Sequence, residues 1–311
     1  MAEPAADQPD GAGRANSRAP GRLAVGVIGA GRVGAVLAAA LRNAGHQVVG
    51  ASGVSEASVS RIDTLLPGVP RMEPQEVVAA SDLVLLTVPD DALAPVVSGL
   101  ARLGAWRPGQ LAMHAAGRFG VDILSDAAAA GVLPLAIHPA MTFTGTSLDL
   151  ARLADTAFAV TAPAPLLPIA QALVVEMGGE PVIIEEADRP AYHAAIVHAA
   201  NHGVTLAAQA AAMLGRLGIE EPGRVLGPVV QASIDNALRD APGSVSSLTG
   251  PVVRGDAGTI AAHLAALETV PETRSAYRAM ARATADLALA GGRIGPAAYA
   301  DLIATLGLGE D

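Results

Sequence analysis

The chain reads as an α/β protein with a doubly wound, mainly parallel sheet, followed by an all-helical C-terminal domain. Three observations predict this. Short apolar runs rich in β-branched residues alternate with helical stretches as far as Glu186. A glycine-rich loop, GAGRVG, lies directly between the first such run and the first helical stretch. Beyond Glu186 only helical periodicity continues.

The elements follow in order. Residues 1–21 are rich in Ala, Pro, Gly and charge, and a disordered tail is expected there. LAVGVIG, from Leu23, is a buried parallel strand, and RVGAVLAAALRNAG is a helix with Gly45 as its C-terminal stop. QVVGAS is a second strand, followed by a polar Ser/Gly stretch. In SDLVLLTVPDDAL a strand from Leu83 to Val88 is stopped by Pro89, and Asp90 and Asp91 lead into a helix. QLAMHAAG and VLPLAIHPAM are two more strands, with the helical DILSDAAAAG between them. TAFAVTAP and EPVIIEEA flank the helix of PLLPIAQALVVEMGG. Five helices are expected after that, at roughly 188–217, 222–240, 256–268, 272–290 and 296–306. The domains are thus 22–186, α/β, and 187–311, all helical.

Composition narrows the chemistry. With 51% apolar residues the chain can fill two cores. There is no Cys, which excludes disulfides, thiol nucleophiles and thiolate metal sites. There is no Lys, so no step uses an ammonium side chain. A net charge of −10 argues against a nucleic-acid or anionic-membrane partner. The N-terminus lacks the apolar run of a signal peptide and no segment is a membrane-spanning helix, so a cytoplasmic protein is expected.

Gly29, Gly31 and Gly34 form a G-x-G-x-x-G in the strand-loop-helix context that binds a dinucleotide. Gly29 allows the tight turn, Gly31 lets the pyrophosphate approach the backbone, and Gly34 lets helix and strand pack closely. Ala30, Arg32 and Val33 complete the loop, whose helix N-terminus attracts the phosphates. The second strand runs out in Gly50-Ala51-Ser52-Gly53-Val54-Ser55, with no acid before Glu56 to grip a ribose 2′-hydroxyl. This small hydroxyl-rich end at Ser52, with Arg32 and Arg61 as counter-charges, predicts NADP(H) rather than NAD(H). Val88 and Pro89, with Thr87, close the third strand at the carboxyl edge of the sheet, where they would border the adenosine or ribose side.

Several blocks resemble a known family: GAGRVG, DLVLLTVPDDAL, HAAG at 114–117, IHPAMTF at 137–143, YHAAIVHAAN at 192–201 and LTGPVVRGDAGTIAAHL at 248–264. They are similar, in this order, to bacterial Rossmann-like proteins with a C-terminal domain of unknown function 2520. That family lies within the 6-phosphogluconate dehydrogenase-like group, beside ketopantoate reductase, β-hydroxyacid dehydrogenases and pyrroline-5-carboxylate reductase. The resemblance implies a nicotinamide-dependent reductase with a helical substrate domain, forming a homodimer through that domain. Against the ketopantoate reductase pattern, anchoring on Asn201 and Thr205 matches His193 to the relatives' Lys and Val197 to their first Asn. Ser246-Ser247-Leu248 is similar to their Ser-Ser-Met block, but Thr259-Ile260 stands where their acid belongs. GDAGTIAAHLAALE loosely resembles the Gly-rich Thr-Ile block of pyrroline-5-carboxylate reductase.

Carbonyl reduction needs a proton for the developing alkoxide, which an imidazolium supplies near neutral pH. Of the seven histidines, His193 shares a helical stripe with Val197 and Asn201. The reading is His193 as proton donor and Asn201 as carbonyl-orienting donor, with His138, at the end of VLPLAIH, as the competing donor. His114 ends the neighbouring strand and is expected to border the cofactor, and the small Ala115, Ala116 and Gly117 after it let a ligand approach the backbone. His198 and His202 have metal-ligand spacing without an evident third ligand, and no metal is expected. His46, after Gly45 at a helix end, is expected to be exposed. Arg254 is the candidate for a substrate carboxylate, with Ser247, Asp256 and Thr259 as further substrate contacts; Asp256 also reads as a helix cap. The expected reaction is NADP(H)-dependent reduction of a small carboxylate-bearing carbonyl compound such as a 2-oxo acid. A cyclic imine substrate and a non-catalytic NADP(H) sensor are the alternatives.

Overall fold

The structure is a computed structural model that describes residues 21–240 and 245–307. Contacts divide it into two units, the second beginning at His198. The tail expected to be disordered lies, except for Gly21, outside the described residues.

The first unit is built on one seven-stranded sheet in the order β2-β1-β3-β4-β5-β6-β7. Its strands are β1 (Ala24–Ile28), β2 (Gln47–Ser52), β3 (Leu83–Leu86), β4 (Leu111–His114), β5 (Leu133–Pro139), β6 (Ala157–Thr161) and β7 (Glu180–Ile183). All pairs are parallel except β5–β6, where the chain returns without a full crossover. β1, β3 and β4 are buried along their whole length, the mark of strands covered on both faces. One face packs on α1 (Arg32–Asn43) and α7 (Leu167–Glu176), through Val36, Leu37, Leu41, Leu173 and Val174. The other packs on α3 (Pro74–Ala80), α4 (Asp90–Arg102) and α5 (Ser125–Ala129), through Val77, Leu93, Val97 and Ala127.

The polar stretch after β2 contains α2 (Glu56–Leu65), and α3 follows before β3. Both carry legible caps. Ser55 accepts from the Ser58 backbone N–H, and Glu73 and Glu76 form a capping box around Pro74. A short α6 (Leu148–Arg152) lies between β5 and β6.

His46 is a correction. It is buried (4%), its Nδ1 accepts from the Leu23 N–H, and its Nε2 donates to Glu176 at 2.6 Å. Glu176 also receives Arg22, so α7 is tied to the turn after α1 through His46 and to the chain entering β1 through Arg22. The left-handed turn at Gly45 (φ +101) folds His46 back under the sheet instead of into solvent.

α8 (Arg189–Arg216) begins in the first unit and continues into the second. The second unit holds α9 (Pro222–Arg239), α10 (Ala257–Ala266), α11 (Pro271–Ala290) and α12 (Pro296–Thr305). Its core is Val252, Val253, Ile260, Leu264, Leu302 and the alanine row Ala281, Ala285 and Ala288 of α11, so close packing rests on small side chains. Among the described residues no helix is long and apolar enough to cross a membrane.

Candidate functional site

The glycine loop joins the carboxyl end of β1 to α1, next to the point where the chain order turns from β2 on one side to β3 on the other. Gly29 has φ +90, and a side chain there would lie 2.8 Å from the Thr87–Val88 peptide. At Gly34 a methyl would collide with Thr87 Oγ1 and lie 2.6 Å from the Gly29 carbonyl. Thr87 Oγ1 donates to that carbonyl at 2.7 Å, locking the loop to the end of β3. The Ser52 carbonyl accepts from the Gly29 and Ala30 N–H groups, which fixes the end of β2 against the same loop. Gly31 differs from the other two. A Cβ there would meet only the Gly29 carbonyl, at 3.9 Å, so the space over it is open. Gly31 is also the N-cap of α1, with no side-chain cap and no acid in the first turn. The Arg32 and Val33 N–H groups therefore lie where an anion is favoured. Open backbone over an uncapped helix N-terminus fits a pyrophosphate.

Beside it, Arg32 and Arg61 converge on Gly145. A side chain at Gly145 (φ +79) would lie 2.7 Å from Arg61 Nε and 2.9 Å from Arg32 Cγ. The Gly145 loop is held by the buried Asp149, which accepts from the Thr144 and Gly145 N–H groups and the Thr144 hydroxyl. Burial would raise the Asp149 pKa, but these hydrogen bonds outweigh it and hold the carboxyl below its ordinary range. Neither Arg32 nor Arg61 is ion-paired among the described residues.

At the carboxyl ends of β4 and β5 three histidines gather. His114 is fully buried. Its Nδ1 accepts from the Ala116 N–H and its Nε2 donates to the Gly120 carbonyl at 2.8 Å, so both nitrogens are taken by backbone. Burial pushes its pKa down to about 4. His138 is half-buried, with Nδ1 2.9 Å from the Tyr192 hydroxyl. Burial, then the charges of His193, Arg189 and His114, lower it also to about 4. Tyr192 is raised by burial and keeps its proton. The His193 ring lies edge-on to His138, centroids 5.9 Å apart. Its Nδ1 is buried and has no hydrogen-bond partner. Gly117 separates the two: a side chain there would collide with His193 Nδ1 and come within 3.0 Å of His138 Nε2. The small residues after β4 thus make room for imidazoles.

The structure brings together His138, His193 and His114, which the sequence singled out, and adds Tyr192, Arg189 and Gly117 as their immediate neighbours. Tyr192 and Gly117 stand inside the blocks YHAAIVHAAN and HAAG. Arg189, at the start of α8, carries no local signal of its role. Val88 is half-buried and Pro89 exposed at the end of β3. The remaining candidates lie in the second unit. Asn201 is exposed on α8, and its carbonyl accepts from the Thr205 hydroxyl. Asp256 caps α10, accepting from the Thr259 N–H at 3.0 Å and hydroxyl at 2.6 Å, so these two side chains bind each other. The Ser247 N–H donates to Asp240. Arg254 is exposed and not ion-paired among the described residues. His198 and His202 are exposed, with their Nδ1 atoms 2.9 Å apart.

Residues 6–139 match the Rossmann-like domain, and residues 156–284 match the domain of unknown function DUF2520. No curated protein matches the sequence. Among solved structures, the Bacteroides fragilis protein BF3122, described as an NADP oxidoreductase, is 21% identical with a TM-score of 0.70, over 85% of this chain and 98% of its own. 1-Pyrroline-5-carboxylate reductase of Streptococcus pyogenes is 20% identical with a TM-score of 0.58, over 86% and 99%. An imine reductase of Myxococcus stipitatus in complex with NADP+ is 19% identical with a TM-score of 0.57, over 88% and 95%. At these identities the likeness is one of fold. The chain joins a Rossmann-like domain to a DUF2520 domain, the pairing its motifs resemble.

Proposed function

We propose that the protein is an NADP(H)-dependent reductase acting on a small carbonyl compound that carries a carboxylate, such as a 2-oxo acid. The observation that carries the reading is one sheet edge bearing both an open glycine loop over an uncapped helix and a half-buried pair of imidazoles. Gly29, Ala30, Gly31, Arg32, Val33 and Gly34 would hold the dinucleotide, with Arg32 and Arg61 toward a 2′-phosphate. When bound, the nicotinamide supplies the hydride. The protein's own part is the proton. Nδ1 of His193 is buried against Gly117, which leaves Nε2 as the atom that hands the proton to the developing alkoxide. His138, drawn down to about 4, is uncharged at neutral pH. With the Tyr192 hydroxyl donating to its Nδ1, its Nε2–H is a fixed hydrogen-bond donor. His114 is locked by backbone and serves the shape of the site. In the second unit Asn201 and Arg254 are proposed as carbonyl- and carboxylate-binding groups.

Titration of the protein with NADPH and NADH tests the cofactor assignment. NADPH is expected to bind more tightly, and replacing Arg32 and Arg61 together by Ala to cost that preference tenfold or more, about 1.4 kcal/mol or greater. Tighter NADH binding contradicts it. A cyclic imine is the second reading, favoured by the likeness in fold to the pyrroline-5-carboxylate and imine reductases.

We also propose a homodimer through the helical unit. α9 has no buried residue, although Leu226, Val230 and Ile234 line with Ala207 and Ala211 an apolar groove of about 580 Å³. Val204, Leu206, Val225, Val229 and Leu238 are exposed as well. So much uncovered apolar side chain marks an interaction face.

A further inference from the structure

Gly145 is buried in the loop between β5 and α6, while its neighbours Thr144 and Thr146 are exposed, so the chain dips inward at this one residue. It dips onto two arginines. A Cβ at Gly145 would lie 2.7 Å from Arg61 Nε, 2.9 Å from Arg32 Cγ and 3.2 Å from Arg32 Cα. Arg32 opens α1 and Arg61 lies on α2, so the loop touches the dinucleotide helix and the β2 side of the sheet edge at once.

The loop is locked where it lies. Asp149 (0% exposed) accepts from the Thr144 N–H at 2.8 Å, the Gly145 N–H at 2.7 Å and the Thr144 hydroxyl at 2.9 Å. Thr144 spends its hydroxyl proton on this carboxylate. The 2.9 Å contact between the two threonine hydroxyls therefore has Thr146 as donor. On the other side Phe143 is buried in the core under α1. With these donors used by the lock, what the loop offers a ligand is a rigid seat. Arg61 is half-buried on that seat, beside Arg32, and neither has a hydrogen bond or ion pair among the described residues. Two guanidinium side chains brought to one residue without an acid suit a shared anion.

We propose that Gly145 is a specificity-determining residue. Its bare backbone, held by Asp149 as a positioning residue, lays Arg61 beside Arg32 so that both take one phosphomonoester, the 2′-phosphate of the cofactor. A side chain there would push Arg61 off the seat, and the left-handed φ of +79 already favours glycine. The inference rests on the NADP(H) reading, which names the two arginines but gives the loop no part.

Calorimetric titration of the full chain with NADPH and with NADH tests it. Gly145→Ala should weaken NADPH binding about tenfold or more, the worth of one charge-assisted hydrogen bond, and leave NADH binding unchanged. In an Arg61→Ala background the same substitution should cost nothing further, because the group it displaces is gone. Asp149→Ala is the second variant; it frees the loop without touching either arginine and should act in the same direction. Equal weakening of both cofactors, an additive loss in the Arg61→Ala background, or unchanged NADPH binding in either folded variant, Gly145→Ala or Asp149→Ala, overturns the proposal. A wild type without preference for NADPH overturns the cofactor reading and the proposal with it. A preference lost without Arg32 and Arg61 but kept in Gly145→Ala overturns the proposal alone.

Discussion

His114 shows how a single residue couples burial to stability. Folded, it gains a proton only near pH 4, whereas the ordinary imidazole value is 6.5. Between these two values the unfolded chain binds a proton that the folded chain refuses, so acidification favours unfolding. The gap is worth on the order of 3 kcal/mol, present above the unfolded value and lost as pH falls to about 4. Denaturant unfolding across this window should show that loss, doubled by His138, which is lowered to about 4 as well, and His114→Asn should remove about half of the total. Below the window the carboxyls of Asp149 and Glu176, both held below their ordinary range, take over the pH dependence. Resistance of the wild type to acid down to pH 4 would contradict the assignment.

At the scale of the element, α10 offers a clean test. Asp256 caps it through the Thr259 N–H and is itself held ionised, chiefly by the Thr259 hydroxyl. Asp256→Ala should lower stability, read as a lower denaturation midpoint. If the variant also alters turnover far beyond that loss, Asp256 has the substrate role the sequence suggested. Elements with strong periodicity were legible in the chain itself. The five C-terminal helices fall within a few residues of their expected places, because long amphipathic or small-residue repeats are hard to mistake. The glycine loop was legible because each glycine answers a separate steric demand. α2 and α3 were not read, although Ser55 and the Glu73–Glu76 box announce them, since their short runs lack a full apolar stripe. The exposure expected of His46 and the missing role of Arg189 share one cause. Both act through partners more than 25 residues away, Glu176 and the β5–β6 backbone, which no local pattern encodes. Likewise the helix spacing marked His193, but only the fold sets it beside His138.

For the whole molecule, the uncovered helical face and the sheet-edge site make two separate claims. Light scattering of the full chain should give a dimer, and Val230→Asp with Ile234→Asp should yield monomers, because a carboxylate in a desolvated apolar interface is costly. A monomer in the wild type would contradict the homodimer. The central claim is reduction by NADP(H), and loss of the near-ultraviolet absorbance of NADPH, followed with a panel of 2-oxo acids and cyclic imines, tests it most directly. The account predicts that a carboxylate-bearing compound is consumed in step with NADPH. His193→Ala should slow this about 10²-fold or more with NADPH binding retained, and Arg254→Ala should raise KM. NADPH that binds but is consumed with no member of the panel, or an unimpaired His193→Ala, would contradict it.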